Sequence, residues 1–287
     1  MNGVPQSIVS ATWLRKRLPA RDSRLVLVDV RSDLKDPAWG RARYLEGHLP
    51  GAVFADTDRD LSASKTGTNG RHPLPTVERM AEVFGRLGIG PGSVVVAYDH
   101  ASGLFAARLW WMLRYLGHGE VAVLDGGMDA WEQAGGSLVP GEETRAPRHF
   151  TPQPEAGMAL GIAEVEAGLA GGAHLLVDAR EPIRWRGEHE PIDPVAGRIP
   201  GARNHLWKGN LDPDGRFRAP EDLREILGAL AADRAGRRIV CYCGSGLSAA
   251  HNALALELAG IEDVAVYSGS WSEWCADPGR PVARGTP

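Results

Sequence analysis

The sequence predicts an α/β protein of two tandem domains, each a mainly parallel central sheet flanked by helices, and three observations carry that expectation. The first is size: 287 residues exceed the roughly 100–200 of an ordinary domain, and 43% hydrophobic residues suffice for two cores. The second is an internal repeat. Val28-Asp-Val-Arg31, Gly47-His-Leu-Pro-Gly-Ala52, Val94-Val-Val-Ala-Tyr-Asp99 and Leu124-Asp-Gly-Gly-Met-Asp-Ala-Trp131 return in the same order as Val177-Asp-Ala-Arg180, Gly197-Arg-Ile-Pro-Gly-Ala202, Ile239-Val-Cys-Tyr-Cys243 and Val266-Tyr-Ser-Gly-Ser-Trp271, offset by roughly 142–150 residues. The third is the alternation of short apolar runs with helical stretches inside each copy, the pattern of a parallel sheet.

In the first copy Leu25–Val30, Val94–Tyr98 and Val121–Leu124 are apolar runs of strand length, while Thr76–Leu87 and Leu104–Leu116 have helical length and spacing. In the second, Leu175–Val177, Ile239–Tyr242 and Val264–Tyr267 repeat the strands. There Pro220–Ala232 is one helix, and Ala249–Leu258 is another, capped by Ser248 and stopped at Gly260. Pro140–Pro154, rich in proline and charge, predicts a semi-extended connection. The expected boundaries are 1–140 for the first domain, 141–160 for the linker and 161–287 for the second.

Composition removes several function classes. A net charge of −4 and a pI near 6.1 leave no electrostatic footprint for nucleic acid or an anionic membrane. Three cysteines cannot pair completely, and none is spaced with histidines as a zinc ligand set, so neither a disulfide framework nor a metal site is expected. The first ten residues show no basic region before an apolar core, and no apolar run approaches the roughly 18 residues of a membrane span. A soluble cytoplasmic protein without a cofactor follows; no Gly-x-Gly-x-x-Gly opens a helix for a dinucleotide.

The most informative stretch is Arg238-Ile-Val-Cys-Tyr-Cys243-Gly-Ser-Gly-Leu-Ser-Ala249, a strand that ends on a cysteine and turns through two glycines into a helix. Free amides and the positive end of the helix dipole favour an anion there, which makes Cys243 the candidate nucleophile as its thiolate. Cys241, two residues earlier on the strand, points to the opposite face as a small core hydrophobe. The first copy carries Asp99 where the second has Cys243, so only one half can do cysteine chemistry. Phosphoryl transfer by the same strand-Cys-loop-helix plan needs an arginine six residues after the cysteine, and Ala249 stands there.

Taken together, the duplicated Asp-x-Arg, the Gly-(His/Arg)-(Leu/Ile)-Pro-Gly-Ala segments and the terminal Gly-Ser-Trp-Ser-Glu-Trp274 resemble the two-domain rhodanese sulfurtransferases over nearly the whole chain. The loop Cys243-Gly244-Ser245-Gly246-Leu247-Ser248 is similar to the Cys-Gly-Ser-Gly-Val-Thr of 3-mercaptopyruvate sulfurtransferases and differs from the Cys-Arg-Lys-Gly-Val-Thr of the thiosulfate enzymes. The resemblance implies two rhodanese-like domains. It also implies a ping-pong reaction in which Cys243 takes a sulfane sulfur as a persulfide and passes it to a small thiol, a thioredoxin-like protein or cyanide. Loop residues Gly244, Gly246, Leu247 and Ser248 are then expected around the donor, with Ser245, His72 and Asp58 as the relay that protonates the leaving enolate.

The loop also bears on the donor. Thiosulfate is a dianion, and a cation ~4–6 Å away contributes roughly 3–4 kcal/mol at an effective dielectric of 20; Gly244 and Ser245 supply none. A monocarboxylate such as 3-mercaptopyruvate needs one clamp, and Arg184 before an aromatic matches the first arginine of the resembled family. A second is expected where Ile192 stands, so Arg186 or Arg198 is left to replace it. Thiosulfate as main donor, and a sulfur-carrier or regulatory module with little turnover, stay as alternatives. Cys275, near the carboxyl end, is left without an assigned role.

Overall fold

The computed structural model describes Val4, residues 6–18 and residues 22–286. They form two compact units. The first takes in the described residues up to Ala63, Pro75–Glu155 and Pro213–Arg216; the second takes in Ser64–Leu74, Ala156–Asp212 and the chain from Phe217 onward.

The first unit contains β1 (Ile8–Val9), α1 (Ala11–Arg15), β2 (Leu25–Asp29), α2 (Trp39–Glu46), β3 (Ala52–Phe54), α3 (Val77–Arg86), β4 (Val94–Tyr98), α4 (Ala106–Tyr115), β5 (Val121–Leu124) and α5 (Gly127–Gln133). Its five strands are all parallel, in the order β1-β5-β4-β2-β3. The second unit contains β6 (Ala159–Leu160), α6 (Ile162–Ala170), β7 (His174–Asp178), α7 (Pro182–Trp185), β8 (Arg203–Asn204), α8 (Pro220–Asp233), β9 (Arg238–Tyr242), α9 (Leu247–Leu258), β10 (Val264–Tyr267) and α10 (Ser270–Trp274), with the matching order β6-β10-β9-β7-β8. Helices cover these sheets, so a strand such as β2 or β4 is buried at every residue and shows no polar alternation. Trp110, Trp111 and Trp131 fill the first core, and Trp271 and Trp274 the second.

The repeated motifs prove to be halves of one brace. Asp29, at the end of β2, binds Arg31 Nη2 at 2.7 Å, and the same nitrogen donates to the Gly47 carbonyl at 2.7 Å. In the second unit Asp178 binds Arg180 Nη2 at 2.6 Å, and that nitrogen donates to the Gly197 carbonyl at 2.7 Å. Asp-x-Arg therefore anchors the Gly-x-x-Pro-Gly-Ala turn in both copies, a structural job independent of chemistry. A buried guanidinium is tolerated because its charge is paired with a carboxylate and it donates to a carbonyl.

One expectation is corrected. Helix α9 begins at Leu247, not Ala249, and its N-cap is Gly246 with φ 89° and no capping side chain; Ser248 lies inside the first turn. A left-handed turn that glycine alone adopts cheaply starts the helix two residues early. The proline-rich stretch carries no helix or strand over residues 142–154, and part of it is anchored. Arg148 N–H donates to the Gly85 carbonyl at 2.9 Å, Gln153 N–H to the Leu116 carbonyl at 2.9 Å, and Phe150 packs edge-on against Phe84 at 5.4 Å, which lays residues 148–153 along the first unit.

Asp99 explains what the first unit does with the loop that carries cysteine in the second. Its buried carboxylate accepts four backbone N–H groups, from Ala101 (2.8 Å), Gly103 (2.9 Å), Phe105 (2.7 Å) and Ala106 (2.9 Å). An anion nest is kept, and a fixed side-chain anion fills it. Asp99→Ala is expected to destabilise the protein by about 3–5 kcal/mol, since four buried amides lose a charged partner. Urea unfolding checks this; a loss below about 1 kcal/mol would mean that the amides find other acceptors. Among the described residues no helix is long and apolar enough to cross a membrane.

Candidate active site

Cys243 follows β9 at the amino end of α9 and is only 2% exposed. Its Sγ accepts N–H bonds from Gly246 at 3.0 Å and Ser245 at 3.4 Å, so the sulfur occupies the nest that Asp99 fills in the first unit. The loop is fixed from behind by α10. Cys243 N–H donates to Ser270 Oγ at 3.1 Å, its carbonyl accepts from Trp271 N–H at 2.9 Å, and the Gly244 carbonyl accepts from Ser272 N–H at 3.0 Å. Two amides and the amino end of a twelve-residue helix pointing at one sulfur make a nest suited to a negatively charged atom.

Ser245 Oγ and His72 Nδ1 lie 2.7 Å apart, both buried. His72 belongs to Ser64–Leu74, a segment that comes from the first repeat in sequence but folds as part of the second unit. Its docking against α10 is tight: Arg71 N–H donates to Ser272 Oγ at 3.0 Å, and a Cβ on Gly70 would meet the Gly269 carbonyl at 2.8 Å. Asp58 is placed in the first unit, in a turn after β3 where its N–H donates to Asp56 Oδ1 at 2.9 Å.

Arg184 faces the loop from α7. Its guanidinium is held by Glu190, with Nη2 to Oε1 at 2.7 Å and Nε to both oxygens at 3.0 and 3.1 Å, and by Asp193, with Nη2 to Oδ2 at 3.2 Å. Glu190 also accepts from Arg180 Nη1 at 3.2 Å and from the N–H groups of Ile192 and Asp193 at 3.1 and 3.2 Å. The segment around Ile192 thus supplies carboxylates, while the Ile192 side chain itself is 52% exposed.

The other two candidate arginines are engaged elsewhere. Arg186 pairs with Glu188 at 2.6 Å on the surface. Arg198 lies 4.1 Å over the Trp185 ring and donates to the Gly285 carbonyl at 2.7 Å, which ties down the carboxyl-terminal segment. The second cation beside Cys243 is instead Arg71, which sequence reasoning missed although it is the neighbour of His72. Arg71 ion-pairs with Asp193. Burial draws its guanidinium below the ordinary arginine value, the Cys243 sulfur pulls it back up, and the positive Arg184 alongside lowers it again. Burial pushes the Cys241 and Cys275 thiols upward, consistent with inert core sulfur. Among the described residues no group of three or more His, Cys, Asp or Glu is placed to hold a metal ion.

Residues 10–134 and 162–277 each match the rhodanese-like domain model. The chain is 46% identical over 280 residues to the probable 3-mercaptopyruvate sulfurtransferase of Pseudomonas aeruginosa, an alignment covering 97% of this chain and 98% of that one. It is 42% identical over 284 residues to a Mycobacterium tuberculosis protein that carries the provisional name thiosulfate sulfurtransferase SseB, covering 98% of both. Among solved structures, 3-mercaptopyruvate sulfurtransferase from Leishmania major superposes with a TM-score of 0.81 at 28% identity, covering 94% of this chain and 75% of that one.

Proposed function

Since this chain belongs to the rhodanese-like sulfurtransferase family, we propose that it moves sulfane sulfur from 3-mercaptopyruvate, through a persulfide on Cys243, to a thiol or cyanide acceptor. In the first half-reaction the thiolate attacks the donor sulfur. The carbon–sulfur bond breaks, its electron pair passes to the pyruvate enolate, and a proton converts the enolate to pyruvate, leaving the persulfide on the enzyme. In the second, an acceptor thiolate attacks the outer sulfur and Cys243 leaves as thiolate.

The observation that carries the choice of donor is the 2.7 Å contact between His72 and Ser245, two residues beyond the nucleophile. A hydroxyl backed by an imidazole serves a leaving group that needs a proton, as an enolate does and sulfite does not. Charge supports the same choice. Glu190 and Asp193 balance Arg71 and Arg184, so the thiolate leaves the pocket with one net negative charge. Each further unit of like charge at about 5 Å costs roughly 3 kcal/mol at an effective dielectric of 20, and thiosulfate brings one more than 3-mercaptopyruvate.

The low exposure of Cys243 suits a small donor, and the persulfide's S–S bond carries the transferable sulfur about 2 Å outward to a larger acceptor such as a thioredoxin-like protein. A reducing, cytoplasmic setting keeps all three unpaired cysteines as thiols. Steady-state kinetics with both donors and cyanide test the reading: kcat/KM for 3-mercaptopyruvate is expected to exceed that for thiosulfate by at least about 100-fold, the weight of the ~3 kcal/mol term. A ratio at or below one would replace it with thiosulfate as the main donor.

A further inference from the structure

Two guanidiniums converge on the backbone of Gly244, and each has one terminal nitrogen left over. Asp193 takes Arg71 Nη1, while Glu190 and Asp193 take Arg184 Nε and Nη2. Among the described residues Arg71 Nη2 and Arg184 Nη1 make no hydrogen bond within the protein. Both face one point: a Cβ built on Gly244 would lie 2.7 Å from Arg71 Nη2 and 3.8 Å from Arg184 Nη1. The absence of a side chain at residue 244 therefore lets the Arg71 guanidinium lie directly against the loop backbone beside the nucleophile, with Arg184 close on the same point. Arg71 is 31% exposed along its side chain and Arg184 14%, so neither arginine is fully covered.

From this geometry we infer that Arg71 is a donor-binding residue, pairing with Arg184 to hold the donor's carboxylate over Gly244, and that Asp193 sets the charge class of the donor by bridging the two guanidiniums. A carboxylate has two oxygens, one for each of the two unused nitrogens, and hydrogen bonds between charged partners of this kind are the strong ones. Asp193 uses one oxygen on each arginine, so it fixes their spacing, and with Glu190 it balances their charge. The two arginines then offer hydrogen bonds to one carboxylate but no net positive charge for a second negative one. This inference rests on Cys243 as the sulfur-accepting nucleophile but names a residue outside the arginine-bearing segment around Ile192, at a position where nothing in the cysteine loop calls for it.

Alkylation of Cys243 by iodoacetate and by iodoacetamide reads the subsite without any sulfur transfer, because the two reagents differ only in a carboxylate against an amide. In Arg71→Ala the iodoacetate rate should fall about tenfold relative to the iodoacetamide rate, Arg71→Lys should recover part of it, and Asp193→Asn should raise the ratio. The iodoacetamide rate in each variant reports whether the loop is still folded. A ratio within twofold of wild type in Arg71→Ala, or a fall in Asp193→Asn, overturns the inference. If the wild type turns over neither donor yet the ratios shift as stated, the anion subsite stands and the sulfurtransferase reading falls; with turnover present and ratios unmoved, the subsite alone falls.

Discussion

Cys243→Ser is expected to lower sulfur transfer by roughly 10⁴-fold or more with either donor, the scale of losing a covalent nucleophile. A serine hydroxyl is not ionised by two amide contacts and a helix dipole, and an oxygen cannot form the sulfur–sulfur bond that carries the transferred atom. The substitution is nearly isosteric. The Ser245 and Gly246 amides that now reach Sγ at 3.4 and 3.0 Å would find an oxygen in the same place, so the fold should survive and thermal unfolding should show it. The chemical readout is direct: wild-type protein incubated with 3-mercaptopyruvate should gain the mass of one sulfur, lost again on adding a thiol, and the variant should gain nothing. Activity above about 1% of wild type in the variant would place the sulfur on another group and remove Cys243 from the mechanism.

Much of this was legible in the chain because parallel sheets buried on both faces leave unbroken apolar runs. Val94–Tyr98, Val121–Leu124 and Val264–Tyr267 are strands at the predicted limits. Duplication supplied the domain count, and the swap of Asp99 for Cys243 pointed to the second copy as the reactive one. Element ends were less legible. Serine is the stronger N-cap by propensity, yet Gly246 takes that place because the loop must turn through positive φ to aim two amides at one sulfur. The site's polar partners were least legible, since they follow from tertiary placement. Ser245 and His72 are 173 residues apart, and no spacing rule joins them; only the family resemblance proposed the pair. Arg71 was not legible because no spacing rule links Ser64–Leu74 to the cysteine loop, whereas Arg180 to Arg198 follow Asp178 directly. In that stretch the fold binds Arg186 to Glu188 and Arg198 to the carboxyl-terminal segment, while Arg71 comes to the Gly244 backbone from Ser64–Leu74.

Ser245→Ala separates the two donors more sharply than any other substitution. The hydroxyl accepts no role in breaking the sulfur–sulfur bond of thiosulfate, whose sulfite leaves as a stable dianion. With 3-mercaptopyruvate the electron pair moves onto carbon, and a proton must follow. The proton at Ser245 Oγ can go to that carbon, a proton on His72 Nδ1 can replace it, and the ring's other nitrogen takes up a proton from solvent so that the imidazole stays neutral, a relay whose geometry the 2.7 Å contact supports. General-acid catalysis of this kind is worth about 10²–10⁴-fold, so kcat/KM for 3-mercaptopyruvate should fall by about 10²-fold or more in Ser245→Ala, with thiosulfate changed by less than about threefold. His72→Gln should reproduce the selective loss, because it keeps a hydrogen-bonding side chain but removes the imidazole proton. In either variant a loss shared equally by both donors would mean that the pair positions the Cys243 loop and moves no proton; an unchanged rate with 3-mercaptopyruvate would mean that water protonates the enolate unaided.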